Sequence, residues 1–121
     1  MMHAKQMVGR WGENVAAEYL KNRGYTIVAR NRRTPYGELD LIASKGAELV
    51  FVEVKTRTNN AFGLPEEAIN PAKAQHLLDS AQHFLLEYSP QEIDWRVDVI
   101  AIQGRPNGTD TQIEWFQNVL S

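Results

Sequence analysis

The sequence predicts an α/β domain in which a mixed β-sheet carries helices on its faces. Two segments place apolar residues at helical spacing, and five shorter runs are rich in alternating or β-branched apolar residues. These elements follow one another in the order α-β-β-β-α-β-β. Because a helix separates the third strand from the fourth, these two strands can run parallel, whereas strands joined by short turns must run antiparallel.

Length and composition restrict the class of protein. The chain has 121 residues, of which 43% are hydrophobic, and this suits a single domain over residues 1–121. A formal net charge of -2 excludes a protein that binds nucleic acid through overall basicity. The lack of cysteine excludes disulfides and thiolate metal sites. No apolar run is long enough to span a bilayer and no signal-peptide core is visible, so we expect a cytoplasmic protein.

The first elements are a helix and a strand. An apolar residue recurs every fourth position from Trp11, which predicts a helix over Gly9–Arg23 that ends at Gly24. Residues up to Val8 lack this pattern, and we expect them to be loose. The first strand is predicted over Tyr25–Arg32, where it runs into a cluster of arginines.

A β-hairpin over Tyr36–Arg57 is the central prediction. Two apolar runs are separated by the glycine-containing connection Ser44–Ala47, as in a hairpin. Alternate side chains of a strand share a face. The first run should therefore place Leu39 and Leu41 on one face and Asp40 on the other.

The second half of the chain supplies a loop, a helix and two strands. Thr58–Leu64 is polar and predicts a loop with Phe62 as an exposed aromatic residue, and Pro65–Ile69 favours a helical turn. Asn70 precedes a proline, as expected of a helix N-cap, and the helix should end at Ser89. The remaining strands are predicted over Arg96–Ile102 and Gln112–Phe116.

Three charged residues lie within the hairpin, where the strands otherwise suit burial. Asp40 is followed after twelve residues by Glu53 and then, one residue further on, by Lys55. Alternation places Glu53 and Lys55 on one face, and the hairpin can bring Asp40 beside them. Two carboxylates suit a hard cation such as Mg²⁺ or Mn²⁺, and an ammonium group beside them can orient water or stabilise a charged transition state. The pattern predicts metal-dependent phosphodiester cleavage, in which Glu13 of the first helix can supply an outer ligand or hold a metal-bound water.

Each of these residues also has a structural interpretation. Glu53 and Lys55 can form a solvated ion pair at a sheet edge, and Glu13 can be an ordinary charge on a helix face. Asp40 and Asp98 can each pair with an arginine such as Arg96. For Asp98 we expect the arginine pair rather than catalysis.

Basic residues flank the same region. Arg30, Arg32 and Arg33 form a basic cluster at the end of the first strand, and Arg57 follows Lys55. Beside an acidic metal site they can contact a phosphate backbone. Alternatively, they form a solvated edge that prevents strand-to-strand aggregation.

The residues that carry the most specific pattern resemble the YraN family of small bacterial proteins. That family is regarded as similar to the restriction-endonuclease-like, or PD-(D/E)XK, nucleases and to archaeal Holliday-junction resolvases. The resemblance covers nearly the whole chain and rests on the following residues: Gly12-Glu13, Gly24-Tyr25, Arg30-Asn31, Gly37–Ile42, Phe51–Arg57, Phe62-Gly63, Lys73 and Arg96–Val99.

The resemblance implies a restriction-endonuclease-like mixed sheet flanked by helices. It implies Asp40, Glu53 and Lys55 as the motif residues and Glu13 as the helix acid, and we add Lys73 to the candidate nucleic-acid-binding residues. In this chain Leu39 stands where the motif has proline, a position that binds no metal.

Two functional hypotheses follow. The first is a Mg²⁺-dependent endonuclease that acts on DNA, in particular on branched or damaged DNA, as a monomer or homodimer. The second is a non-catalytic nucleic-acid-binding or scaffold protein on a nuclease-like fold, which the acidic net charge and the short chain favour.

Overall fold

The computed structural model describes residues 4–58, 69–89 and 91–120. The described residues form an α/β fold with two helices and a five-stranded mixed sheet in the predicted order, which confirms the predicted fold class. The predicted loop with Phe62 and most of the helical turn predicted at 65–69 lie outside the described residues. The elements are α1 Ala4–Lys21, β1 Thr26–Thr34, β2 Gly37–Lys45, β3 Glu48–Arg57, α2 Pro71–Tyr88, β4 Asp94–Gln103 and β5 Gln112–Phe116.

The strands lie in the sheet in their order along the chain, β1-β2-β3-β4-β5. Strands β1, β2 and β3 form antiparallel pairs, β3 and β4 run parallel, and β5 returns antiparallel to β4. The parallel pair follows from the connection through α2, which starts beyond one end of the sheet and brings the chain back to the other. The predicted hairpin is confirmed, with a tight turn between Lys45 and Glu48.

The two helices cover opposite faces of the sheet. Helix α1 packs with Leu20 into a core that contains Val52 and Ile100. Helix α2 packs with Phe84 against Phe51 on the other face. Within the described residues, neither helix is long and apolar enough to cross a membrane.

Helix α1 begins earlier than the pattern predicts. It starts at Ala4. The described residues before Val8 are helical, but their side chains are exposed and therefore show no apolar stripe in the sequence. Gly12 packs closely against the sheet, where a Cβ would lie 2.0 Å from the hydroxyl oxygen of Thr56. Helix α2 has the predicted ends, with Asn70 as N-cap and Ser89 as C-cap.

The regular alternation of side chains is interrupted in β1 and β2. Leu41 packs in the core beneath α1, whereas Leu39 packs in the core beneath α2, so the prediction that both share a face is wrong. The interruption lies between them at Asp40, opposite Asn31 of β1, whose φ of 51° is in the left-handed region. Asparagine tolerates this conformation better than most residues. We call this point the pleat reversal.

Candidate active site

Asp40 lies where β2 and β3 stop pairing. The regular pairing of these strands runs from the hairpin turn to Leu41 opposite Val52. Beyond that pair, Oδ2 of Asp40 accepts a hydrogen bond from the backbone N–H of Val54 at 2.9 Å. The carboxylate thus takes the place of a strand partner, and its position is fixed by the backbone of β3.

Glu53 lies beside this point on β3, with only 11% of its side chain exposed. Its Oε1 lies 3.1 Å from Nζ of Lys73, which belongs to the first turn of α2. The backbone N–H of Lys73 donates to the Asn70 side chain at 2.8 Å, so the cap that starts the helix also holds the lysine in place. The sequence suggested Lys73 as a nucleic-acid contact, and the structure places its ammonium on a motif acid.

The pKa of Asp40 is raised from 3.8 to about 7. Burial is the largest cause, followed by the nearby negative charges of Glu53 and, more weakly, Glu13. The N–H of Val54 and the ammonium of Lys73 lower the pKa of Asp40 without cancelling this rise. Asp40 and Glu53 therefore crowd each other electrostatically, as expected of two acids placed to share a cation.

Lys55 is half-buried next to these acids, two residues beyond Glu53 on β3. Burial lowers the pKa of its ammonium below 10.5, and the positive charges of Arg57 and Lys73 lower it further. Glu53 and Asp40 act in the opposite direction, so both carboxylates are within electrostatic range of Lys55. The structure brings the three predicted motif residues together.

Glu13 approaches the site from α1. The close fit of Gly12 against Thr56 holds this turn of the helix on the sheet. The pKa of Glu13 is raised, mainly by burial and then by Glu38, while a hydrogen bond with Asn31 acts to lower it. Asn31 is thus a site residue that the sequence named only as part of the family resemblance, with no role, although an asparagine inside a strand is itself a signal of irregular backbone. An open groove of about 540 Å³ beside Glu13 is lined by Gln6, Gly9, Arg10, Glu13, Asn31, Arg33 and Glu38.

The three arginines of β1 do not form one cluster. Arg30 hydrogen-bonds to Asn14 of α1, whereas Arg32 forms a 2.8 Å ion pair with Glu87 of α2. The pleat reversal between them sends the two side chains to opposite faces. Arg33 is 91% exposed and only 3.9 Å from the Glu38 carboxylate.

Arg57 lies at the end of β3, where its guanidinium donates to the carbonyl of Thr56 at 3.0 Å. It is half-buried and close enough to Lys55 to lower the pKa of that lysine. Of the predicted basic residues, Lys73 contacts a motif acid directly, Arg57 lies near Lys55, and Arg33 is open to solvent.

Asp98 has the structural role that the sequence favoured. It is fully buried, and its two oxygens accept hydrogen bonds from Nε of Arg96 at 3.0 and 3.2 Å. The indole N–H of Trp115 and the backbone N–H of Asn118 each donate to it at 2.8 Å. These bonds tie β4 to β5 and to the segment that follows, which confirms the predicted arginine pair.

The donor set for a cation is small. Across residues 4–58, 69–89 and 91–120, no group of three or more His, Asp or Glu side chains is placed to hold a metal ion. Asp40 and Glu53 supply two carboxylates. The negative charge of Glu53 raises the pKa of Asp40, and that of Glu13 does so more weakly. A cation here would need water or a bound ligand to complete its coordination.

Comparison with known sequences identifies the family. Residues 12–102 match the uncharacterised protein family UPF0102, so the match includes Glu13, Asp40, Glu53 and Lys55. A UPF0102 protein of Syntrophotalea carbinolica is 43% identical over 96% of this chain and 93% of its own length. Relatives from Desulforapulum autotrophicum and Dehalococcoides mccartyi are 41% and 37% identical, each over 99% of this chain and 98% of their own length. The chain therefore belongs to the UPF0102, or YraN, family.

Proposed function

We propose that this chain is a metal-dependent endonuclease that hydrolyses phosphodiester bonds in branched or damaged DNA. The observation that carries the proposal is the placement of Asp40 and Glu53 side by side where the pairing of β2 and β3 ends, with Lys55 next to them on β3. Buried like charges are costly in a core. Among the described contacts, the ion pair with Lys73 compensates Glu53 but not Asp40.

The residues present fit Mg²⁺ or Mn²⁺. Mg²⁺ is usually bound through one or two carboxylates, and waters and substrate phosphates supply its other ligands. Asp40 and Glu53 meet this requirement without a third protein acid. A bound Mg²⁺ supplies a Lewis acid for the phosphoryl oxygen and lowers the pKa of an attacking water.

The chain's own groups have separate roles in this proposal. The N–H of Val54 holds Asp40 in one orientation, so that the carboxylate needs no rearrangement on binding. The ammonium of Lys55, with its lowered pKa, stabilises negative charge on the phosphoryl group and orients water. Glu13, half-buried on α1, holds a water on the other side of Asp40.

DNA would be bound by local charge, since the chain as a whole has a net charge of -2. Arg33 is open to solvent at the groove beside Glu13, and Arg57 lies beyond Lys55. Both can contact phosphates on either side of the acids. The preference for branched DNA rests on the resemblance to Holliday-junction resolvases, which also favours a homodimer, because two sites are needed to cut two strands.

The proposal is tested with purified protein, Mg²⁺ or Mn²⁺, and a panel of linear, flap and four-way DNA. We expect cleavage that is abolished by chelator and by Asp40→Asn, Glu53→Gln or Lys55→Met. Glu18→Gln is the matched control, because Glu18 is an exposed acid that pairs with Lys21 on α1. Cleavage that survives the first three substitutions would come from a contaminant and would refute the proposal.

A non-catalytic nucleic-acid-binding protein is the second candidate. The ion pair between Glu53 and Lys73 favours it, because it neutralises Glu53 without a metal. This candidate predicts DNA binding that is unaffected by chelator and by Glu53→Gln, with no cleavage of any substrate in the panel.

A further inference from the structure

The ammonium of Lys73 lies next to the carboxylate of Glu53, one of the two proposed metal ligands. Its Nζ lies 3.1 Å from Oε1, and its charge also reaches Asp40, whose pKa it lowers. The metal-free site therefore contains two carboxylates and two ammonium groups, those of Lys55 and Lys73. The two ammonium groups offset part of the cost of burying the acids, although the pKa of Asp40 remains raised.

The location of Lys73 is unfavourable for the helix that carries it. Lys73 lies in the first turn of α2, and that turn contains no acidic residue. Positive side chains are disfavoured at a helix N-terminus, where the unpaired N–H groups already carry partial positive charge. The ion pair with Glu53 offsets this cost, so the lysine is better explained by the site than by the helix.

The two partners differ in their freedom to move. The side chain of Glu53 is 11% exposed, whereas that of Lys73 is 43% exposed. Glu53 is fixed in the middle of the sheet, but the ammonium of Lys73 can turn into solvent by rotation about its own side-chain bonds. A change at the site can thus release Lys73 without moving α2 or β3.

We propose that Lys73 is an internal counter-ion of the candidate metal site, which neutralises Glu53 until a divalent cation displaces it. This inference rests on the proposed function. A divalent ion held by Asp40 and Glu53 carries two positive charges. It would therefore repel the ammonium of Lys73, which contacts the same carboxylate of Glu53. The displaced ammonium then lies at the rim of the site, free to contact a phosphate of bound DNA.

The test is a titration of the whole protein with MgCl₂, followed by two-dimensional NMR. The backbone amide of Val54, which donates to Asp40, reports the dissociation constant for Mg²⁺. The side-chain resonances of Lys73 report whether its ion pair is broken. Lys21→Met is the matched control for Lys73→Met. Lys21 also pairs with a glutamate, Glu18, at 3.3 Å, but it lies at the C-terminal end of α1.

We expect Lys73→Met to bind Mg²⁺ about fivefold more tightly than the unmodified protein, and Lys21→Met to bind it unchanged. In the unmodified protein, saturation with Mg²⁺ should shift the Lys73 side-chain resonances towards those of exposed lysines. This second measurement needs no substitution, so it decides the matter even if Lys73→Met folds poorly.

Three results would overturn the inference. Equal affinity for Mg²⁺ with and without Lys73, or a Lys73 resonance that Mg²⁺ leaves in place, would refute the counter-ion while leaving the metal site intact. Absence of Mg²⁺ binding in both proteins would refute the counter-ion together with the metal-dependent part of the proposed function.

Discussion

Replacing Asp40 with asparagine is expected to stabilise the metal-free protein above neutral pH. The pKa of Asp40 rises from 3.8 to about 7 on folding, which corresponds to about 4 kcal/mol, because a tenfold change in proton affinity is worth about 1.4 kcal/mol. Water and ions screen part of this at a partly open site, so we expect a gain of about 2 kcal/mol. The amide keeps the shape of the carboxylate, and its oxygen can still accept the N–H of Val54.

The sign of the pH dependence follows from the direction of the shift. Below pH 3.8 the Asp40 carboxyl is protonated in both the folded and the unfolded state, and its burial as a charge does not lower the free energy of unfolding. As the pH rises from there to about 7, the unfolded state ionises first, and the folded state loses stability. The advantage of Asp40→Asn should therefore be small near the lower value, grow across this window and be constant above it.

Urea unfolding in the presence of chelator, at several pH values between about 4.5 and 8.5, measures this effect. Asp79→Asn is the matched control, since Asp79 is on α2 and contacts Gln75; we expect no change. Asp98→Asn should lose about 3 kcal/mol or more, because the Asp98 carboxylate is the buried partner of Arg96. Destabilisation by Asp40→Asn at about pH 8, or a gain that does not vary with pH, would refute the electrostatic argument.

Two further predictions concern the helix α1 contact and the lysine of the motif. Gly12→Ala should destabilise the fold by about 2 kcal/mol in urea unfolding, because the added Cβ would lie 2.0 Å from Thr56. Gly9→Ala, with nothing within 4 Å of its Cβ, should stabilise the same helix by about 0.5 kcal/mol; equal effects would contradict the close fit. The rate of the proposed cleavage should fall with rising pH before the ordinary lysine pKa of 10.5, because the pKa of Lys55 is lowered. Arg57→Gln removes a repelling charge and should move this alkaline limb to higher pH; an unmoved limb would exclude Lys55 as the titrating group.

Local signals in the sequence were sufficient for most elements of the fold. The Asn70-Pro71 pair marks the start of α2 because its chemistry is that of a helix cap, and the cap contact is present at 2.8 Å. The glycine-containing turn likewise specifies the hairpin. The start of α1 at Ala4 could not be predicted in this way, because side chains that face solvent leave no periodic pattern.

The arrangement of the candidate residues could be predicted where it depends on strand alternation, but not where it depends on tertiary contacts. Glu53 and Lys55 follow from a regular strand, β3. The division of Arg30 from Arg32 follows from the positive φ of Asn31, which alternation cannot foresee. The contact between Lys73 and Glu53 depends on how α2 lies over the sheet, and no spacing in the chain encodes that distance.

The pleat reversal gives Asp40 an unusual position between the two helical layers. Glu13 on α1 and Lys73 on α2 lie on opposite sides of the sheet, yet both act on the pKa of this one carboxyl. Substitutions at these two positions should therefore be non-additive in a double-mutant cycle, although residues so placed ordinarily behave independently. Asp40 thus couples the two helical layers thermodynamically, because a substitution in one layer changes the effect of a substitution in the other.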